Sequence, residues 1–401
     1  MPSWTLGGSP RTWQVAALAE WDRHGRRGIA RVVTGAGKTY FAEMCIAEWL
    51  RSEPEGRVVV VVPTLALLDQ WYVDIQEDLA VAAADISVFS GEQRQAAPAK
   101  LNLMVLNTAR TEAPWVSGTA PTFLIVDECH RAAAPVNAHA LEGSHAATLG
   151  LSATPEREYD EGLRDVLVPA LGPIIFSYSY DDARRDGVIT SFALINVSVP
   201  MTADEQEAYN KLSRRVGAAV GRFKSGKDDG TRLKIVLRQR AALSAGAVAR
   251  IPTAVALAHA HRGTRTVIFH ERIEAATTIY RMLAQRDHNA TLYHSKIAPA
   301  VRRDNLRLFR RGMFSVLVSC RALDEGVNVP ETEIGIIASS TASNRQRVQR
   351  LGRVLRPSPG KEGATVYTLY ATEIEERRLQ LEADNLEAAR EVLWQKASVN
   401  G

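Results

Sequence analysis

Thr34-Gly35-Ala36-Gly37-Lys38-Thr39 stands directly after the apolar run Ile29 to Val33 and directly before a stretch of helical composition. A strand that turns through glycines into the start of a helix is the setting of a phosphate-binding loop. Glycines let successive backbone N–H groups close around the β- and γ-phosphates, a lysine adds a point charge, and a hydroxyl in the first helical turn faces Mg²⁺. Thr34, Gly35, Ala36, Gly37, Lys38 and Thr39 are therefore the expected nucleotide-binding residues, with ATP and Mg²⁺ as cofactors and Thr39 on the metal. One departure is visible: the full pattern starts with a small residue where this chain has Val32. The plain alternative, a glycine-rich turn without a ligand, is opposed by the Gly-Lys-Thr ending and by both flanks.

A second stretch, Phe123-Leu124-Ile125-Val126-Asp127-Glu128-Cys129-His130, is an apolar strand ending in two acids. Parallel sheets bind ligands beyond the carboxyl ends of their strands, so these acids sit where chemistry is done. Asp127 is expected to hold Mg²⁺, and Glu128 to orient or deprotonate the water that attacks the γ-phosphate. Alone, such a pair reads equally well as a strand running into a solvated loop; downstream of a phosphate loop it does not.

Around these two stretches, short β-branched runs alternate with helical ones: Arg57 to Val62, Leu101 to Leu106, Thr122 to Val126 and Ala147 to Leu151, then Thr264 to His270, Ala290 to His294, Phe314 to Ser319, Ile334 to Ser339 and Ala364 to Tyr370. The pattern is that of βαβ units, and thus of an α/β fold with parallel sheets. A length of 401 residues suits two such domains,. The polar stretch Ser177 to Gly187 reads as a hinge, giving domains 1–184 and 185–401. Residues 201–261 break the alternation and read as a helical insertion in the second domain, and residues 371–398 read as a closing helix.

The composition is that of a globular protein, with 46% hydrophobic and 23% charged residues,. Cys45, Cys129 and Cys320 are far apart, which suggests neither a disulfide framework nor a zinc site,. No basic start followed by an apolar core opens the chain, so a cytoplasmic, membrane-independent protein is expected. A formal net charge of +4 permits a polyanionic partner without requiring one,. Locally the imbalance is larger. Lys211 to Arg240 holds ten basic side chains against Asp228 and Asp229, and Arg222, Lys224 and Lys227 near its centre are candidate phosphate contacts,.

Asp127-Glu128-Cys129-His130 resembles the DExH box of superfamily 2 helicases, and several neighbours resemble that family's other motifs. Arg11-Thr12-Trp13-Gln14 is similar to the upstream R-x-x-Q element, which implies Gln14 as the adenine contact. Pro63-Thr64-Leu65 to Gln70-Trp71 resembles motif Ia, implying Thr64 on a nucleic-acid phosphate, and Asn107-Thr108 resembles motif Ib, implying Thr108. Ser152-Ala153-Thr154-Pro155 resembles motif III, which links the ATP site to nucleic acid. Tyr293-His294-Ser295 is similar to the motif IV region, with Ser295 as a nucleic-acid contact. Asp324 to Pro330 resembles motif V, implying Gly326 and Asn328 at the nucleotide and Ser319 on a phosphate; Asn328 stands where an aspartate is common. Gln349 to Arg356 matches the Q-x-x-G-R-x-x-R of motif VI, implying Arg353 and Arg356 as γ-phosphate contacts beside catalytic Lys38 and Glu128.

From Arg11 to about Tyr370 the chain looks most like XPB-type helicases and the motor subunits of restriction enzymes. The resemblance implies two RecA-like domains in tandem and an ATP-dependent helicase or translocase on nucleic acid, DNA rather than RNA, without sequence preference. Two alternatives stay open: a duplex-remodelling motor for a partner nuclease that does not separate strands, and a nucleotide-switched binding scaffold. Intact Lys38, Glu128, Arg353 and Arg356 oppose the scaffold, which has no use for them.

Overall fold

The computed structural model describes residues 4, 6–91, 97–155, 161–188, 192–226, 229–320, 332–339, 363–383 and 389–397. The expectations on Lys227, Gly326, Asn328, Arg353 and Arg356 lie outside these residues.

Five consecutive valines, Val58 to Val62, show why the chain folds as it does. Alternate side chains of a strand point to opposite faces, so a strand apolar at every position must be covered on both sides. Val58, Val60 and Val62 join one buried cluster with Trp21, Phe41, Trp49 and Trp71. Val59 and Val61 join another with Ile29, Leu124 and Val126. The strand is β2 (Arg57–Val62) of a seven-stranded sheet. The others are β1 (Arg27–Val32), β3 (Ile86–Phe89), β4 (Leu101–Val105), β5 (Thr122–Asp127), β6 (Ala147–Ser152) and β7 (Ile174–Tyr178). They lie in the order β3-β4-β2-β5-β6-β1-β7, every pair parallel.

A second seven-stranded sheet repeats the plan. Its strands are β8 (Phe192–Ser198), β9 (Thr266–Phe269), β10 (Ala290–Tyr293), β11 (Val316–Ser319), β12 (Ile334–Ile337), β13 (Ala364–Tyr370) and β14 (Ala389–Lys396), in the order β10-β11-β9-β12-β13-β8-β14, again all parallel. The two sheets define two compact units, one ending near residue 189 and the other beginning there. Both have the RecA-like α/β form.

The stretch Ser177 to Gly187, read as a hinge, carries regular structure: Tyr178 pairs with Val32 in the first sheet, and Tyr180–Arg185 is a helix. Its paired acids occupy the first turn and its paired arginines the last, as the helix dipole favours,. Ser179 caps it, its Oγ accepting from Asp182 N at 3.1 Å,. The closing segment is helical only over Glu373–Ala383; Ala389–Lys396 is a strand. It covers the edge that β8 would otherwise leave unpaired, and Trp394 meets Tyr370 edge-on at 5.8 Å, which an unbroken helix would forgo,.

Between β8 and β9 run three helices, Ala203–Lys224, Thr231–Ala245 and Arg250–Ala260. The first two pack side by side as a hairpin arm, and the 22 residues of the first give it a length of roughly 33 Å at 1.5 Å per residue,. The arm leaves from the carboxyl end of β8 and is fastened at its root. Glu205 Oε1 accepts from Val248 N at 2.9 Å, and Ser339 Oγ donates to Ala245 O at 2.7 Å. Arg250, 1% exposed, then ties the returning chain to the carboxyl ends of two strands. Its Nη1 donates to Ala338 O (3.0 Å) and Leu369 O (2.6 Å), its Nε to Ser244 O (3.1 Å), and its Nη2 to both Glu375 oxygens at 2.8 Å. A guanidinium is the one side chain with enough fixed donors for this set. Arg250→Met should cost about 3–5 kcal/mol, because Glu375 loses its buried partner and three carbonyls lose their donor. Equilibrium denaturation followed by circular dichroism measures the loss, and Arg250→Lys should recover little of it.

Candidate functional site

Three adjacent strands of the first sheet, β5, β6 and β1, end at one edge, and each runs into one of the motifs. β1 leads to Thr34–Thr39, β5 ends on Asp127, and β6 ends on Ser152. The parallel register alone therefore brings together residues that lie more than a hundred positions apart.

The phosphate loop is shaped by its glycines. Gly35 and Gly37 have φ of 84° and 100°, a region that favours glycine, and Gly37 caps the helix Lys38–Ser52 without any side-chain bond to its amides,. A Cβ on Gly37 would lie 2.9 Å from Gln14 Nε2. Those first-turn amides, with no acid in the turn, are a ready anion site. Thr39 stands in the same turn. Arg11 and Gln14 brace the loop from outside: Arg11 Nη1 donates to Ala36 O at 2.5 Å and Gln14 Nε2 to Gly37 O at 2.9 Å. Gln14 Oε1 also accepts from Arg11 N at 2.7 Å. The residue expected to read adenine is thus buried, with both ends of its amide engaged by the loop and its neighbour.

Lys38 Nζ stands 3.4 Å from Glu128 Oε1. Glu128 Oε2 lies 3.5 Å from His130 Nδ1, which is 3.0 Å from Ser152 Oγ; that hydroxyl accepts from Thr154 N at 3.1 Å. A continuous polar path thereby joins the phosphate loop, the acidic pair and the Ser-Ala-Thr segment. Glu128 itself adopts the left-handed conformation, φ 49° and ψ 48°, which is uncommon for a residue with a side chain,. Strain of this kind persists where surrounding structure over-determines it.

Asp127 is buried behind this path. One oxygen accepts from Trp71 Nε1 and the other from Glu128 N, both at 2.9 Å. Burial raises its carboxyl above the usual range, and the neighbouring Glu128 charge adds to the effect against the opposing pull of Lys38,. Trp71 closes the stretch that resembles motif Ia, but its bond to Asp127 was not legible there; it arises because β2 lies beside β5. No group of three or more His, Cys, Asp or Glu that could hold a metal occurs among the described residues. A divalent ion here fits Asp127 and Thr39 only with phosphate and water completing its shell, the usual habit of Mg²⁺.

The expected nucleic-acid contacts are spread more widely. Thr64 caps the helix Leu65–Asp78, its hydroxyl accepting from Leu67 N at 3.4 Å, at the same edge of the first sheet. Thr108 is half-buried in the first turn of Leu106–Ser117. Ser295 is exposed after β10, and Arg222 and Lys224 are exposed at the far end of the arm. Ser319 is 1% exposed at the end of β11.

Sheet order, phosphate loop and acidic pair define a tandem RecA-like P-loop ATPase. Residues 8–157 match the family described as type III restriction enzyme, res subunit, and residues 248–358 the helicase conserved C-terminal domain. The chain is 25% identical over 365 residues to the DNA 3'-5' translocase XPB2 of Sulfurisphaera tokodaii, covering 86% of this chain and 78% of that one. Identity is 22% to the DNA 3'-5' helicase XPB of Mycobacterium tuberculosis, with 89% and 60% covered. It is 25% to the transcription and DNA repair factor IIH subunit XPB of Antonospora locustae, with 92% and 52% covered. The chain thus spans little more than half of these last two relatives. Among solved structures, S. cerevisiae Dbp5 bound to RNA and ADP BeF3 superposes with a TM-score of 0.65 at 13% identity, covering 97% of this chain and 90% of that one. The Pyrococcus furiosus Hef helicase domain gives 0.54 at 17%, covering 94% and 98%; both share the fold. The chain is a superfamily 2 ATP-hydrolysing helicase, similar to XPB and to restriction-enzyme subunits.

The Trp71–Asp127 bond can be tested apart from activity. A carboxyl with a raised folded pKa contributes stability that is full below its unfolded value and lost as pH rises through the folded one. Trp71→Phe removes a donor to the charged form, so it should cost about 1–3 kcal/mol at neutral pH. The loss should shrink as pH falls and Asp127 takes a proton. Denaturation curves at several pH values check both the size and the sign.

Proposed function

We propose that this chain is a DNA motor in which ATP hydrolysis by residues of the first unit, completed by arginines of the second, drives movement along a strand. The observation that carries the reading is the unbroken path from Lys38 through Glu128 and His130 to Ser152, which ties the nucleotide loop to the segment expected to sense nucleic acid. The division proposed is 1–184 for ATP binding and 185–401 for the second domain with its arm.

In this reading Lys38 and the first-turn amides hold the β- and γ-phosphates, and Gln14, Gly326 and Asn328 contact the rest of the nucleotide. Thr39 and Asp127 would hold Mg²⁺, which would offset phosphate charge. Glu128 takes a proton from the attacking water as its oxygen bonds to the γ-phosphorus and the bond to ADP breaks, while Arg353 and Arg356 stabilise the charge that develops. Thr64, Thr108, Ser295 and the arm residues Arg222, Lys224 and Lys227 contact backbone phosphates, so binding is largely independent of sequence. The choice of DNA rests on the XPB relatives. Among the described residues no single helix is long and apolar enough to cross a membrane.

Lys38→Ala should abolish ATP binding and turnover, whereas Glu128→Gln should bind ATP and fail to hydrolyse it. Steady-state ATPase with single-stranded, duplex and forked DNA and with RNA, beside nucleotide binding by calorimetry, separates these outcomes. Parental turnover by Glu128→Gln would refute the assignment. Arg353→Ala and Arg356→Ala should leave ATP affinity nearly intact and lower kcat by about 10³- to 10⁵-fold if each acts as a finger on the transition state. Unchanged kcat in both moves these residues out of the ATP site.

A further inference from the structure

Phe223 stands in the last turn of Ala203–Lys224, at the tip of the arm, and is 49% exposed. Its neighbours Arg222 and Lys224 are exposed as well. The ring is not a loose side chain. Gly230, which opens the second arm helix with φ 86°, lies against it so closely that a Cβ there would come within 3.1 Å of the ring. Asp229 orders the same turn by accepting from Thr231 N at 2.9 Å. The chain could have hidden this ring, since burying a phenylalanine is worth about 1.5–3 kcal/mol, yet the tip leaves it half exposed, with exposed cations at the two adjoining positions of the chain.

A lone surface aromatic is ordinary. Three features set this one apart: cations at the adjoining positions, Gly230 against one edge of the ring, and the root held by polar bonds. Arg250, Glu205 and Ser339 fasten that root to the carboxyl edge of the second sheet, where parallel sheets meet their ligands,. An aromatic face beside cations fits one class of partner well, a strand whose bases are unpaired. The base stacks on the ring while its phosphates meet the charges. Paired bases in a duplex offer no such face.

We infer that Phe223 is a base-stacking contact for unpaired nucleobases, with Arg222 and Lys224 holding the adjoining phosphates, so that the arm engages single-stranded or forked DNA rather than intact duplex. The inference rests on the nucleic-acid reading above and deepens it.

Fluorescence anisotropy of the full chain with an oligothymidylate, and with a strand of equal length carrying abasic sites, tests it. Losing one stacked base should weaken binding about tenfold. The parental protein should therefore prefer the base-bearing strand by about that factor. F223A should bind the two strands alike with an unchanged salt dependence, and F223W should keep the preference. The double variant R222A/K224A should keep the preference while lowering the slope of log K against log salt by about 1.4 for its two phosphate contacts. If F223A keeps the parental ratio while R222A/K224A lowers the slope, stacking is overturned and the phosphate grip stands; the exposed ring then serves some other partner. If the parental protein binds neither strand, the nucleic-acid reading itself falls.

Discussion

Parallel pairing is the constraint on which the rest of this molecule depends. A parallel strand cannot turn directly into its neighbour, so every connection crosses a face, covers it, and returns to begin at the same end. Two consequences follow at once. Strands such as Val58 to Val62 must be apolar on both faces, and all strands deliver their carboxyl ends to one edge. In the first unit that edge collects the phosphate loop, the Asp127-Glu128 pair and Ser152 from three neighbouring strands. In the second it carries the root of the arm, held by Arg250 to the carbonyls of Ala338 and Leu369.

Burial at these edges is dealt with in opposite ways in the two units. Arg250 is a charge whose donors are met by three carbonyls and a carboxylate, an arrangement that makes it a structural clamp. Asp127 is a charge only partly compensated by Trp71 and the Glu128 amide, beside a second acid that repels it. A clamp wants complete satisfaction, whereas a carboxylate compensated only in part keeps affinity for a cation. The left-handed backbone at Glu128 belongs with this: it turns the chain abruptly after β5, so that two successive side chains take different directions, one into the core and one toward Lys38.

The arm shows how an insertion gains purpose from where it is rooted. Its helices would be ordinary basic helices if they hung from a loop. Fastened at the carboxyl edge, they share a root with Ala338 and Ser339, which follow β12.

Much of this was legible in the sequence, because motifs made of neighbouring residues carry their own context. The glycine loop between a strand and a helix, the strand ending in two acids, and the alternation of βαβ units all follow from spacing and residue type within short windows. These sufficed for the fold class and for the helical character of the insertion. Elements decided by neighbours far away in the chain were not legible. Ala389–Lys396 is a strand because β8 needs an edge partner. Ser177 to Gly187 closes a sheet and caps a helix where its polarity reads as a hinge. Ser319 is buried by its position in the second sheet, Gln14 is held by the loop's own carbonyl, and Trp71 meets Asp127 only because β2 lies beside β5. Local chemistry is written in consecutive residues, but burial and hydrogen-bond partnership belong to pairs of residues that only the folded chain brings within reach.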